Sequence, residues 1–143
     1  MTTTRALMLA QRETIELLKS AGCVDGEKAT DAQRRSTQVV LFWDSVLKSK
    51  SASDKQTYVV YSVVSAEPVH RADDGVITRE AYVNVDVFAR RSMLAKSTQD
   101  LISALNAAAL SAGWAFESGG ATYYEPDTAI YHSTFGLTKA IYD

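Results

Sequence analysis

Apolar and polar residues alternate most regularly between residues 81 and 89 (AYVNVDVFA). Three valines occupy one face of an extended chain with this sequence: Val83, Val85 and Val87. The opposite face is mixed and carries Tyr82, Asn84, Asp86 and Phe88. This period of two predicts a β-strand whose valine face meets the core. The mixed face is expected to meet either solvent or an interface.

Apolar runs and turn residues predict two further strands before this one. Residues 58–65 (YVVYSVVS) predict a strand, which we expect to end at Glu67-Pro68, because proline lacks an amide donor. Residues 72–75 (ADDG) are typical of a hairpin turn. Residues 39–43 (VVLFW) predict a short buried strand. Residues 44–55, rich in serine, lysine and aspartate, predict a solvated loop and a candidate arm of a long hairpin.

Steps of three and four residues predict two helices. Over 93–112 the apolar stripe consists of Leu94, Thr98, Leu101, Leu105, Ala108 and Ala112. Gly113 is the expected C-terminal cap of this helix. A first helix is expected to begin at an N-cap at Thr3 or Thr4 and to end near Gly22. The polar residues 25–37 fit a loop, a short exposed helix or a partly mobile segment.

The order of elements predicts the fold class. After the second helix, three strands are expected within 114–118, 121–125 and 129–138, separated by Gly119-Gly120 and by residues 125–127. Strand runs that flank helices predict an α+β fold with a mainly antiparallel sheet. The N-terminal helix and the long amphipathic helix are expected on one face of that sheet. We expect one domain over 1–143, with a helix and polar connector in 1–38 and the core in 39–143.

Composition and charge narrow the classes of function. The chain of 143 residues is 46% apolar and 22% charged, with a net charge of −2. This balance argues against sequence-specific nucleic-acid binding, which depends on clustered lysine and arginine. The single cysteine, Cys23, excludes an internal disulfide. No apolar run is long enough to span a membrane, and the N-terminus lacks the pattern of a signal peptide.

Residue types that carry chemistry do not form a recognisable catalytic or metal-binding pattern. His70 and His132 have no ligand partners at metal-binding spacing, and no nucleophile or phosphate-binding motif occurs. Asp86 is a candidate half of a carboxylate pair with Asp73, Asp74 or Glu125. However, an aspartate between strand valines is more typical of a surface or interface. We therefore expect no enzymatic activity, no cofactor and no metal.

Several segments together resemble the tail terminator (tail completion) proteins of long-tailed bacteriophages and related prophage tail components. The segments are FWDSV (42–46), TYVVYSVVS (57–65), the turn at 73–75, YVNVDVFAR (82–90), the helix with Leu94, Leu101 and Leu105, and IYHSTFGL (130–137). The resemblance covers most of residues 39–143. The resemblance consists of patterns of strand and turn residues and includes no invariant site.

This resemblance implies a structural subunit that assembles into a ring, commonly a hexamer, at the head-proximal end of the phage tail. Its implied partners are further copies of itself, the tail tube protein and the head connector or neck proteins. Its implied location is the virion, after assembly in the host cytoplasm. A neck or head-completion protein and a small ligand-binding α+β domain are the alternatives. The candidate interface residues are Lys48, Lys50, Asp73, Asp74, Arg79, Asp86, Arg90 and Arg91.

Overall fold

Nine helices and strands make up the parts of the chain that the computed structural model describes, which are residues 1–45, 57–72, 75–89, 96–126 and 130–142. In chain order they are α1 (Thr3–Ser20), β1 (Val24–Asp25), α2 (Asp31–Arg35), β2 (Leu41–Trp43), β3 (Tyr58–Ala72), β4 (Gly75–Ala89), α3 (Lys96–Ser111), β5 (Ala115–Glu125) and β6 (Ile130–Tyr142). The strands form one sheet in the order β1-β2-β3-β4-β6-β5. Helices with an open, mostly antiparallel sheet confirm the predicted α+β class.

Strand pairing differs from the predicted succession of hairpins at one end of the sheet. Strands β1, β2 and β3 pair in parallel, whereas β3 with β4, β4 with β6, and β6 with β5 pair antiparallel. The predicted hairpin between residues 39–43 and 58–65 is therefore wrong, because parallel neighbours need a crossover connection. Most of the connecting segment, residues 46–56, lies outside the described residues.

The helix ends follow their local capping residues. The N-cap of α1 is Thr2, one residue before the predicted positions, and its side chain accepts a hydrogen bond from the Arg5 amide at 3.1 Å. Gly22 and Gly113 have φ angles of 92° and 84°, which confirms both as left-handed residues after a helix. Of the alternatives for residues 25–37, the short helix is correct: α2 begins with a capping box between Thr30 and Gln33.

Two predicted strand ends are wrong because proline and glycine occupy strand irregularities. β3 continues through Pro68, next to register shifts against β4 and beyond the residues that pair with β2. Proline is tolerated at such edge and bulge positions. Residues 114–118 and 121–125 belong to one strand, β5, and Gly119-Gly120 lies at a register shift against β6 instead of forming a turn.

The sheet has two chemically different faces, which we call the valine face and the polar face. The valine face carries Val83, Val85 and Val87, all buried as predicted. They share a hydrophobic cluster with residues of both long helices: Leu17 and Leu18 of α1, and Leu101, Leu105 and Ala109 of α3. The polar face carries Tyr82, Asn84 and Asp86. No described helix has the length and apolarity needed to cross a membrane.

A second, smaller cluster lies on the polar face at the β1 to β3 end of the sheet. It contains Leu41, Trp43, Tyr58, Val60, Phe88 and Ile130. Gly26 extends the pairing of β1 with β2, since its amide donates to the Phe42 carbonyl at 2.8 Å. A Cβ atom on residue 26 would overlap the Trp43 ring, so only glycine fits against this indole.

Replacing Gly26 with alanine is expected to lower the free energy of unfolding by about 1–3 kcal/mol, because the added methyl displaces Trp43 or the backbone. Urea denaturation measures this loss. Since the conflict is with one side chain, Gly26→Ala combined with Trp43→Leu should lose less than the sum of the two single losses. Strictly additive losses would contradict the contact.

Candidate interaction surface

The pairing register of β4 and β6 brings polar side chains together in the middle of the polar face. Asp86 lies opposite Thr134 of β6, and Phe88 lies opposite His132. Directly opposed residues share a face and are close enough to interact. β5 is the next strand, and its last residue, Glu125, pairs with Ile130. Three strands thus contribute to one cluster of polar side chains.

Asp86 is held by two hydrogen-bonding neighbours from β6. The Thr134 hydroxyl donates to Asp86 Oδ1 at 2.8 Å, and His132 Nε2 lies 3.2 Å from the same oxygen. The Asp86 side chain is 24% exposed. Its second oxygen, Oδ2, accepts no hydrogen bond from the residues that the structure describes. That oxygen is an acceptor with a fixed direction at a half-exposed position.

His132 lies between two carboxylates. Its Nδ1 atom is 3.6 Å from Glu125 Oε1, and the ring is only 12% exposed. Each ring nitrogen therefore has a carboxylate oxygen near it, Asp86 Oδ1 at 3.2 Å from Nε2 and Glu125 Oε1 at 3.6 Å from Nδ1. The two carboxylates lie at opposite nitrogens and do not converge on one point. Accordingly, the described residues contain no group of three or more acidic, histidine or cysteine side chains that could hold a metal ion.

Aromatic stacking fixes the position of the His132 ring. His132 stacks on Phe88 with ring centroids 4.2 Å apart, and Phe88 stacks on Tyr58 at 4.8 Å. Trp43 meets Tyr58 edge to face at 6.1 Å. The stack crosses four adjacent strands, from β2 to β6. The polar cluster therefore rests on the smaller hydrophobic cluster and has little freedom to rearrange.

The structure brings one sequence-predicted interface residue, Asp86, into this cluster. Arg79 is on the valine face, is only 7% exposed, and donates to the Ala66 carbonyl at 2.8 Å. The other six lie outside the described residues: Lys48, Lys50, Asp73, Asp74, Arg90 and Arg91. Glu125, a candidate partner of Asp86, contacts the same histidine. His132 and Thr134 were not predicted, and their alternation in the last strand was the only available signal.

Two further features bear on chemistry. Burial raises the pKa of the Cys23 thiol from 9.0 to about 12, so the thiol stays protonated and acts as a core contact.

A cleft of about 470 Å³ lies between α3 and the β5–β6 end of the valine face. Its lining is mainly apolar, with Ile102, Leu105, Phe116 and Phe135, and Asn106 and Glu117 add polar groups.

Comparison of the chain with known proteins finds no matching family model and no matching curated protein. Its function is therefore inferred from its residues and their geometry.

Replacing Asp86 with asparagine is expected to lower the free energy of unfolding by about 1–2 kcal/mol, because the amide keeps an acceptor for Thr134 but removes the charge beside His132. Asn84→Ala is the matched control on the same strand and face, with an expected change within about 0.5 kcal/mol. Urea denaturation at pH 6 compares the three proteins. Equal stability of Asp86→Asn and the parent protein would contradict a stabilising contact with His132.

Proposed function

We propose that the protein is a tail terminator of a long-tailed phage or prophage. In this role it assembles into a ring, commonly a hexamer, caps the tail tube, stops its polymerisation and contributes to the joint with the head connector. The resemblance of its strands and turns to that family supports the proposal. The observation that supports it most within the fold is the pre-organised polar cluster around Asp86 on the polar face.

The polar face has the properties of a contact surface. Tyr82, Asn84 and Thr134 are half-buried in the isolated subunit and share this face with Asp86. Tyrosine is enriched at protein interfaces, where its ring packs and its hydroxyl stays hydrogen-bonded. Because the stack of aromatic rings already immobilises His132 and its neighbours, contact with a partner would cost little further side-chain entropy.

A ring needs two different patches on each subunit, since one patch meets another patch of the next copy. We place one of them on the polar face, centred on Asp86 Oδ2, which suits a donor from a neighbour. Donors of the opposite charge are available on Lys48, Lys50, Arg90 and Arg91. Their part in the contact stays a prediction. A role of this kind lies in interfaces and requires no catalytic site or cofactor.

Replacing Asn84 with arginine is expected to abolish ring formation on purified tail tubes, because a charged side chain of this size does not fit a close contact on the polar face. Ser111→Arg makes the same charge change at an exposed position of α3 and should assemble normally. Negative-stain microscopy and sedimentation velocity measure rings, and urea denaturation verifies that both variants fold. Equal assembly of the two variants would remove the polar face from the interface.

Deletion of the gene from the phage or prophage that encodes it tests the function itself. Over-long or headless tails are expected, since nothing then stops the tube or joins it to the head. Normal tails joined to heads would refute the proposal. Binding of the purified protein to DNA-filled heads in preference to tail tubes would instead support the alternative of a neck or head-completion protein.

The cleft beside α3 favours a small ligand-binding domain as a second candidate. Its volume of about 470 Å³ is within the range of small-molecule sites, roughly 300–1,000 Å³. An apolar ligand with a polar end would suit its lining. Saturable binding of the dye 1-anilinonaphthalene-8-sulfonate to the native protein, lost in Ile102→Glu and kept in Leu110→Glu, would support this candidate. No dye binding by the native protein would remove it.

A further inference from the structure

Strand β5 is the last strand of the sheet, and among the residues that the structure describes it pairs with β6 alone. It is 11 residues long, whereas β1 at the opposite edge has 2. The outer side of an edge strand presents unpaired backbone N–H and C=O groups, which many proteins protect with lysine or proline. The sequence of β5, AFESGGATYYE, contains neither. Residues 121–125 pair with β6 without a register shift, so their outer side is a regular template for a further strand.

The valine face of β5 offers aromatic surface to such a strand. Phe116 lies opposite Leu137 on this face, and Tyr124 lies opposite Tyr131. Phe116 is 39% exposed and Tyr124 is 49% exposed. Phe116 also lines the apolar cleft beside α3. Because side chains of adjacent strands pack against each other on one face, this face favours apolar residues on an added strand.

The polar face of β5 carries two carboxylates. Glu117 Oε1 accepts a hydrogen bond from the Thr138 hydroxyl at 2.9 Å, and Glu125 Oε1 lies 3.6 Å from His132 Nδ1. Thr138 pairs with Tyr82 and therefore belongs to the polar face, as His132 does. The sequence of β5 contains no lysine, arginine or histidine that would offset these charges. Since opposite charges on neighbouring strands stabilise their pairing, this face favours basic residues on an added strand.

We propose that the outer side of β5 binds an extended segment of a partner protein in which apolar residues alternate with lysine or arginine. Successive side chains of a strand point to opposite faces, so this segment presents its apolar residues to the aromatic rings and its basic residues to the carboxylates. A second copy of β5 fits less well, because it would bring acidic residues next to acidic residues. The proposal does not depend on the tail-terminator assignment.

A capped peptide of alternating leucine and lysine tests the site, with NMR hydrogen exchange of the ¹⁵N-labelled protein as the readout. Every second amide of residues 121–125 points away from β6, because donors alternate in direction along a strand. These amides should exchange quickly in the free protein and become protected when the peptide is added. A peptide of alternating leucine and glutamate should bind on the order of tenfold more weakly.

Two methylated peptides distinguish strand pairing from attraction between charges. One carries N-methyl groups on its leucines and the other on its lysines, so each loses the backbone donors of one edge and keeps all side chains. The peptide with the methylated edge toward β5 should not bind, whereas the other should bind as the unmethylated peptide does. Glu117→Lys should weaken the unmethylated peptide about fivefold, and Glu16→Lys, the same charge change at an exposed position of α1, should not.

The absence of protection at millimolar leucine–lysine peptide, or equal binding of the two methylated peptides, would overturn the proposal. Protection of the same amides in the protein alone, increasing with protein concentration, would also overturn it, in favour of a second copy as the occupant of this edge.

Discussion

Strand β4 is hydrogen-bonded on both sides, and its register determines what each face of the molecule can do. Antiparallel pairing with β3 and β6 directs Val83, Val85 and Val87 to the main hydrophobic cluster and Asp86 to the opposite face. A slip of one residue would exchange Val85 with Asp86 and bury a carboxylate among the core residues. The register that buries the valines therefore also fixes the position of the polar cluster on the opposite face.

The polar cluster depends on this register in turn. His132 reaches Asp86 only because β6 lies beside β4, and it reaches Glu125 only because β5 lies on the far side of β6. Stacking on Phe88 and Tyr58 then holds the imidazole between the two carboxylates. A rigid, half-exposed row of hydrogen-bonding groups suits recognition of a fixed partner surface. This property connects the fold to the proposed role in assembly.

Sequence patterns correctly predicted the helices and strands that depend on neighbouring residues in the chain. The alternation of residues 81–89 predicted the core strand of β4, and residues after each long helix predicted its end. Long-range pairing was not predictable in the same way. The parallel contact of β2 with β3 and the placement of β6 beside β4 depend on tertiary packing. Pro68 and Gly119-Gly120 resembled strand ends because their irregularities are accommodated only within the assembled sheet. Asp86 was predicted to be a surface or interface residue, but its histidine partner lies 46 positions away in the sequence.

Side-chain footprinting with hydroxyl radicals, applied to the protein alone and after mixing with purified tail tubes, tests most directly whether the polar face is the proposed contact surface. Tyr82 and His132 on the polar face should lose reactivity on assembly. Met8 and Leu110, exposed at 64% and 66% on the two long helices, should keep theirs. Protection of Met8 and Leu110 with unchanged Tyr82 and His132 would contradict the account.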